Sequence, residues 1–137
     1  MNAQEITDKL RAIASAEDFP SRSEELADSW TAAGYGAETI EPIVNFIEQN
    51  PDIDFGMPGA LVHFVERFDA KDYENVLSAS IRRKPTILTI WMLNRIINAV
   101  ADLREKRRLA SPLEDARRNP LISADLLNTI NRLLSRI

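Results

Sequence analysis

Apolar residues recur along this chain at the three- and four-residue spacing of a helix face, and no run shows the alternation of a half-buried strand. Ile6, Leu10, Ile13 and Ala14 mark a first helix over about residues 2–16, which the acidic turn Glu17-Asp18-Phe19-Pro20 ends. Ser21 or Ser23 is expected to cap a second helix, because a serine oxygen accepts a free amide of the first turn, and Glu24 and Glu25 suit its positive end. Gly34 can take the left-handed conformation that stops this helix after Ala33, and Gly36 reinforces the break. Ile40, Ile43, Val44 and Ile47 then carry a third helix with Pro42 in its first turn.

After Asn50-Pro51 comes the loop DIDFGMPG, where Gly56, Pro58 and Gly59 crowd together and regular structure must end. Pro58 suits the first turn of a fourth helix, whose inward stripe is Leu61, Val62, Val65 and Phe68, widened by Phe64, and which stops near Asp69. A fifth helix over about Asp72–Arg83 buries Tyr73, Val76, Leu77 and Ile81. Arg82-Arg83-Lys84 favour its negative C-terminal end, and Pro85 blocks continuation. The sixth, about Thr86–Ala101, is apolar on most sides and should be central. ADLREKRRLA continues or restarts as a basic helix, Ser111-Pro112 opens another short one, and Asn119-Pro120 breaks it. Ser123 caps a last helix on Leu126, Leu127, Ile130, Leu133 and Leu134. The pattern predicts an all-α fold: one compact domain over residues 1–137, with about seven or eight short helices in antiparallel pairs that could stack in a HEAT-like manner. No repeat of fixed period is visible.

The length of 137 residues is enough to bury about 68% of the unfolded surface, so no disulfide or metal is required to hold a core. No apolar run approaches the roughly 20 residues that cross a bilayer. The polar, mixed-charge start MNAQEITDKLRA does not resemble a secretory signal, and the absence of cysteine fits a reducing compartment, so a cytoplasmic location is expected.

Charge adds something the pattern does not. Residues 1–69 hold fourteen acids against four bases, a net of −10, while residues 70–137 hold thirteen bases against seven acids, a net of +6. Such a dipolar chain can steer a basic partner to its acidic end. The same charges would also serve as solvated helix faces that pair with one another.

Catalytic equipment is not visible in the residues. His63 is the only histidine, with Glu66 three positions on, and there is no cysteine and no HExxH arrangement, so no metal or cofactor site is expected. His63 is read as a helix histidine at the surface or core edge. Serines lack the glycine-flanked setting of a nucleophile elbow, and no phosphate-binding loop is present. Asp52 and Asp54 alternate as in a calcium loop, but the further oxygen ligands are missing.

Two polar features stand out instead. Trp91, Asn94, Arg95 and Asn98 share a face of the sixth helix, and the plain expectation is a structural tie in which these amides hold the Gly56, Pro58, Gly59 loop. The sharper alternative is a polar groove that accepts a protein segment. The second feature is the rim of the DIDFGMPG loop, where the two acids lie beside Phe55 and Met57; Phe55 is expected to staple the loop to the core. The basic cluster Arg104, Lys106, Arg107, Arg108, Arg117 and Arg118 could meet nucleic acid, but no aromatic residue is interleaved and the chain as a whole is acidic.

DIDFGMPGALVHFVERF and the later RRKPTILTIWMLNRIIN, with their GxPG and WMLNRIIN signatures, resemble small bacterial α-helical, HEAT-like immunity proteins of contact-dependent growth inhibition and other polymorphic toxin systems. The resemblance covers about a third of the chain. It implies a cytoplasmic, non-catalytic protein that binds a cognate toxin domain and blocks its active surface, with no cofactor. A nuclease toxin would present a basic, phosphate-holding surface, and an acidic inhibitor can occupy such a surface as a mimic. On this reading Glu38, Glu41, Glu48, Asp52 and Asp54, with Met57 at the rim, dock the basic toxin face. A helical scaffold for another partner, or a nucleic-acid-binding regulator using the basic half, are the alternatives.

Overall fold

The computed structural model describes residues 2–137, and among these residues all regular structure is helical. Eight α-helices and one 3-10 turn are described: α1 (Ala3–Ile13), α2 (Phe19–Ala32), the 3-10 turn (Ala37–Thr39), α3 (Ile40–Gln49), α4 (Ala60–Glu66), α5 (Ala70–Arg83), α6 (Ile87–Ala99), α7 (Leu103–Arg117) and α8 (Ala124–Ser135). The all-α expectation holds, with packed helix pairs. Among the described residues no helix is long and apolar enough to cross a membrane.

Local chemistry sets most of the helix ends. Asn2 caps α1 by accepting the Glu5 amide, and Ser123 caps α8 by accepting that of Leu126. Thr86 opens α6 through a reciprocal box with Thr89, each hydroxyl accepting the other's backbone amide, so both polar side chains are buried with partners. At the end of α2, Gly34 has φ +72°. Its amide donates to Thr31 O and the Tyr35 amide to Trp30 O, the paired bonds of a Schellman stop.

Three boundaries depart from the sequence reading. Neither Ser21 nor Ser23 caps α2: the helix begins at Phe19 after Asp18, Pro20 fits its first turn, and buried Ser23 returns its hydroxyl to Pro20 O. The need to bury Phe19 draws the start earlier than the serines suggest. Pro58 lies before α4 rather than inside it, because Gly59 is the N-cap. Finally, Ser111-Pro112 opens no helix. α7 runs through Pro112, and Leu109, Ala110, Pro112, Leu113 and Ala116 are all buried along it, so tertiary packing offsets the missing backbone bond.

The chain forms two compact units, divided within α5 between Tyr73 and Glu74. The division coincides with the charge split: the first unit holds fifteen acids and five bases, the second twelve bases and six acids, a net of −10 and +6. In the first unit α1 packs chiefly on α3 and α2 on α4, so pairing skips the adjacent helix. Ile6 and Leu10 of α1 and Ile43, Val44 and Ile47 of α3 are buried there, and Trp30 of α2 meets Phe64 of α4 edge-on at 5.7 Å. In the second unit α6 lies against α7 and α8. The Arg82 guanidinium ties α5 to α7 through Asp115 at 2.8 Å and Ser111 at 3.3 Å, and Lys106 Nζ donates to Ile97 O at the end of α6.

The tightest backbone constraint lies between Phe55 and Gly59. Gly59 has φ +87° and ψ 173°, a region closed to side chains, and a Cβ there would lie 1.6 Å from Phe55 O. Gly34 also has positive φ but faces open space. Gly59→Ala should therefore destabilise the first unit by at least ~3 kcal/mol, and Gly34→Ala by only ~1 kcal/mol. Urea denaturation of the two variants should separate them by more than a simple positive-φ penalty.

Candidate docking surface

Phe55 determines how the 50–59 loop lies. Its buried ring meets Phe19 edge-on at 5.4 Å and Phe46 at 6.1 Å, while Phe19 and Phe46 stack on each other at 6.1 Å. The staple expected of Phe55 is present, with α2 and α3 as its anchors. Asp54 Oδ1 accepts the Gly56 amide at 2.9 Å, and Asn50 donates its side-chain amide to Phe46 O at 2.9 Å. Because the chain doubles back over Phe55 O, Met57 is thrown outward and is 63% exposed. Gly56 and Gly59 approach so closely that a Cβ on Gly56 would lie 3.3 Å from Gly59 Cα.

Between this loop, α2 and α4 lies a groove of about 800 Å³. Pro20, Glu24, Ala27, Asp28 and Thr31 form its α2 wall, at helical spacing. Ala60, His63, Phe64 and Arg67 form the α4 wall, and Phe55 to Gly59 the remaining side. Arg67 spans the two walls, donating to Thr31 Oγ1 with its guanidinium 5.4 Å from the Phe64 ring centre. His63 is exposed on the α4 wall, as the surface reading expected. Glu24 and Asp28 are exposed, and no base pairs with either among the described residues.

Of the six residues proposed for docking, Met57 alone lines this groove. Glu41 and Glu48 lie on the outer face of α3, with Glu41 exposed and Glu48 half-buried in an interaction of its own. Glu38, one turn earlier, bends its carboxylate to accept the Gly36 amide at 3.0 Å. Hydrogen bonds from its own amide and from Gly36 hold its pKa below the usual glutamate range. Asp52 and Asp54 are exposed in the loop. Glu24, Asp28, His63 and Arg67 were not recognised as one site from the sequence. The Pro20, Glu24, Asp28, Thr31 spacing was the available signal, and nothing local says that α4 lies opposite.

The polar strip of α6 is only partly what was expected. Asn94 is half-buried, but Asn98 is exposed together with Arg95, so Asn98 is not a core amide that must find a backbone partner. Half-buried Trp91 lines a small hollow beside α8 with Thr129, Arg132, Leu133 and Arg136. Gly56, Pro58 and Gly59 take their roles within the first unit.

Three of the six bases of the cluster are paired, and Arg104, Arg107 and Arg118 are exposed. Arg108 binds Glu74 at 2.7 Å and Glu105 at 2.6 Å, Arg117 binds Glu114 at 3.2 Å, and Lys106 caps α6. The two carboxylates raise the Arg108 pKa further above its already high value. No group of three potential metal ligands is present among the described residues.

No family model, curated protein or solved structure matches this chain.

Two outcomes follow from the loop geometry. Phe55→Ala should cost about 3–5 kcal/mol in calorimetric unfolding of the first unit, whereas Met57→Ala should change stability by less than ~0.5 kcal/mol. In an NMR titration the Glu38 carboxyl should show a midpoint below the usual glutamate value. Since its folded pKa is depressed, the stability it contributes is present above the unfolded value and is lost as pH falls through the folded one.

Proposed function

We propose that this chain is a non-catalytic immunity protein that acts in the cytoplasm, binding a basic cognate toxin domain and covering its active surface. The observation that carries the reading is the concentration of a net −10 charge in one compact unit, together with a groove whose α2 wall bears two carboxylates unpaired among the described residues. Such a surface attracts a basic protein face over distance and excludes acidic ones, which suits a fast-acting inhibitor. The likeness of DIDFGMPGALVHFVERF and RRKPTILTIWMLNRIIN to the immunity proteins supports the same reading. Pairing of Arg108 and Arg117 with carboxylates weighs against a nucleic-acid role for the second unit.

The test is affinity capture of the tagged protein from its own host with the toxin-like neighbours of its gene expressed. Stoichiometric recovery of a toxin domain, with loss of that toxin's activity, is the expected result. Recovery of nucleic acid, or of an unrelated assembly with the toxin left active, would overturn it. With the toxin in hand, Glu41→Lys combined with Asp52→Lys should slow association by about tenfold at low salt and flatten its salt dependence. An unchanged association rate would remove Glu41 of α3 and Asp52 of the following loop from the docking surface.

A further inference from the structure

The groove between α2 and α4 is the strongest unassigned feature of the first unit, and its shape and charge specify an occupant. From Pro20 to Thr31 the α2 wall is about 16 Å long, the length of about five extended residues. Its lining includes Ala27, Gly56, Gly59 and Ala60, which leave room for an incoming main chain, while the exposed, unbranched Met57 can adapt along the rim. Glu24 and Asp28 are one helical turn apart on the same wall, about 6 Å along the axis. An extended chain presents every second side chain to one face at nearly the same interval, about 6.6 Å.

An anionic occupant is disfavoured, because the one arginine in the lining is already held by Thr31 and the Phe64 ring while both carboxylates are unpaired among the described residues. A bound metal is disfavoured as well, since no cluster of three ligating side chains is present among the described residues. The open form, with a wall of about 16 Å along α2, suits a segment of protein more than a compact metabolite.

We propose that this groove receives an extended segment of the protein partner bearing two arginines at alternate positions, one guanidinium meeting Glu24 and the next Asp28. The planar, multidentate guanidinium suits a carboxylate on a helix wall better than a lysine ammonium does. The assignment rests on the immunity reading only for the identity of the protein that supplies the segment.

The test uses the full chain labelled with ¹⁵N and three capped pentapeptides of serine. One carries arginine at the second and fourth positions, one at the second and third, and one carries neutral citrulline at the second and fourth. The alternating arginine peptide should give saturable shifts confined to α2, Gly56, Met57 and Gly59 to Arg67. The adjacent-arginine peptide should bind more weakly, and the citrulline peptide about tenfold more weakly. E24Q combined with D28N should lose about tenfold in affinity for the alternating peptide, and E17Q, at an exposed glutamate outside the groove lining, less than about twofold. Equal binding of the citrulline peptide, equal loss in E17Q, or the lack of saturable shifts would overturn the proposal.

The captured toxin separates the two readings. Capture with unchanged affinity of the E24Q/D28N variant would sink the groove assignment and leave the immunity function standing. Peptide binding as expected without capture of any toxin would sink the immunity function and leave the groove as a site for basic segments.

Discussion

The close approach of Gly59 to the Phe55 carbonyl is the constraint on which the first unit depends. No side chain fits at Gly59, because its Cβ would overlap a backbone oxygen. That crossing lets Phe55 turn inward onto Phe19 and Phe46 while Met57, two residues later, turns out to solvent. It also sets where α4 can start, since Gly59 is its N-cap and its carbonyl accepts the His63 amide. The groove follows from this arrangement: α4 is held against α2 by Trp30 and Phe64, and the loop closes the space between them. A three-ring cluster and one glycine thus position residues from three segments that are distant in the chain.

Charge is handled differently in the two units. In the second, several bases are consumed locally: Arg82 by Asp115, Arg108 by Glu74 and Glu105, Arg117 by Glu114, and Lys106 by the carbonyl end of α6. These pairs are largely exposed, and the second unit keeps a net charge of +6. The first unit has five bases for fifteen acids, so most of its carboxylates cannot pair within it. Their mutual repulsion is tolerated because most of them lie on solvated faces, where water and salt screen them. A partner with the opposite charge would relieve that repulsion.

Helix count, type and most ends were legible along the chain. The cap at Ser123 and the stop at Gly34 are consequences of local chemistry acting on backbone within a turn. The failures share one cause. Ser-Pro at 111–112 carries a good helix-start signal, yet buried Leu109 and Leu113 on either side keep α7 continuous. Pro58 carries the same signal, and the backbone crossing at Gly59 sets it aside. Local propensity amounts to about 1 kcal/mol or less per ordinary residue, and burial of a large side chain exceeds it.

By itself, then, the sequence determined the all-α class, the approximate helices, the charge division near residue 70 and the inward role of Phe55, because each depends on residues a turn or so apart or on simple sums over the chain. Only the tertiary structure decided that α1 packs on α3 and α2 on α4, and so that Glu24 and Asp28 share a groove with His63 and Arg67. Which helix lies beside which is settled by the fit of buried surfaces far apart in sequence, and periodicity along one helix carries no information about the helix opposite.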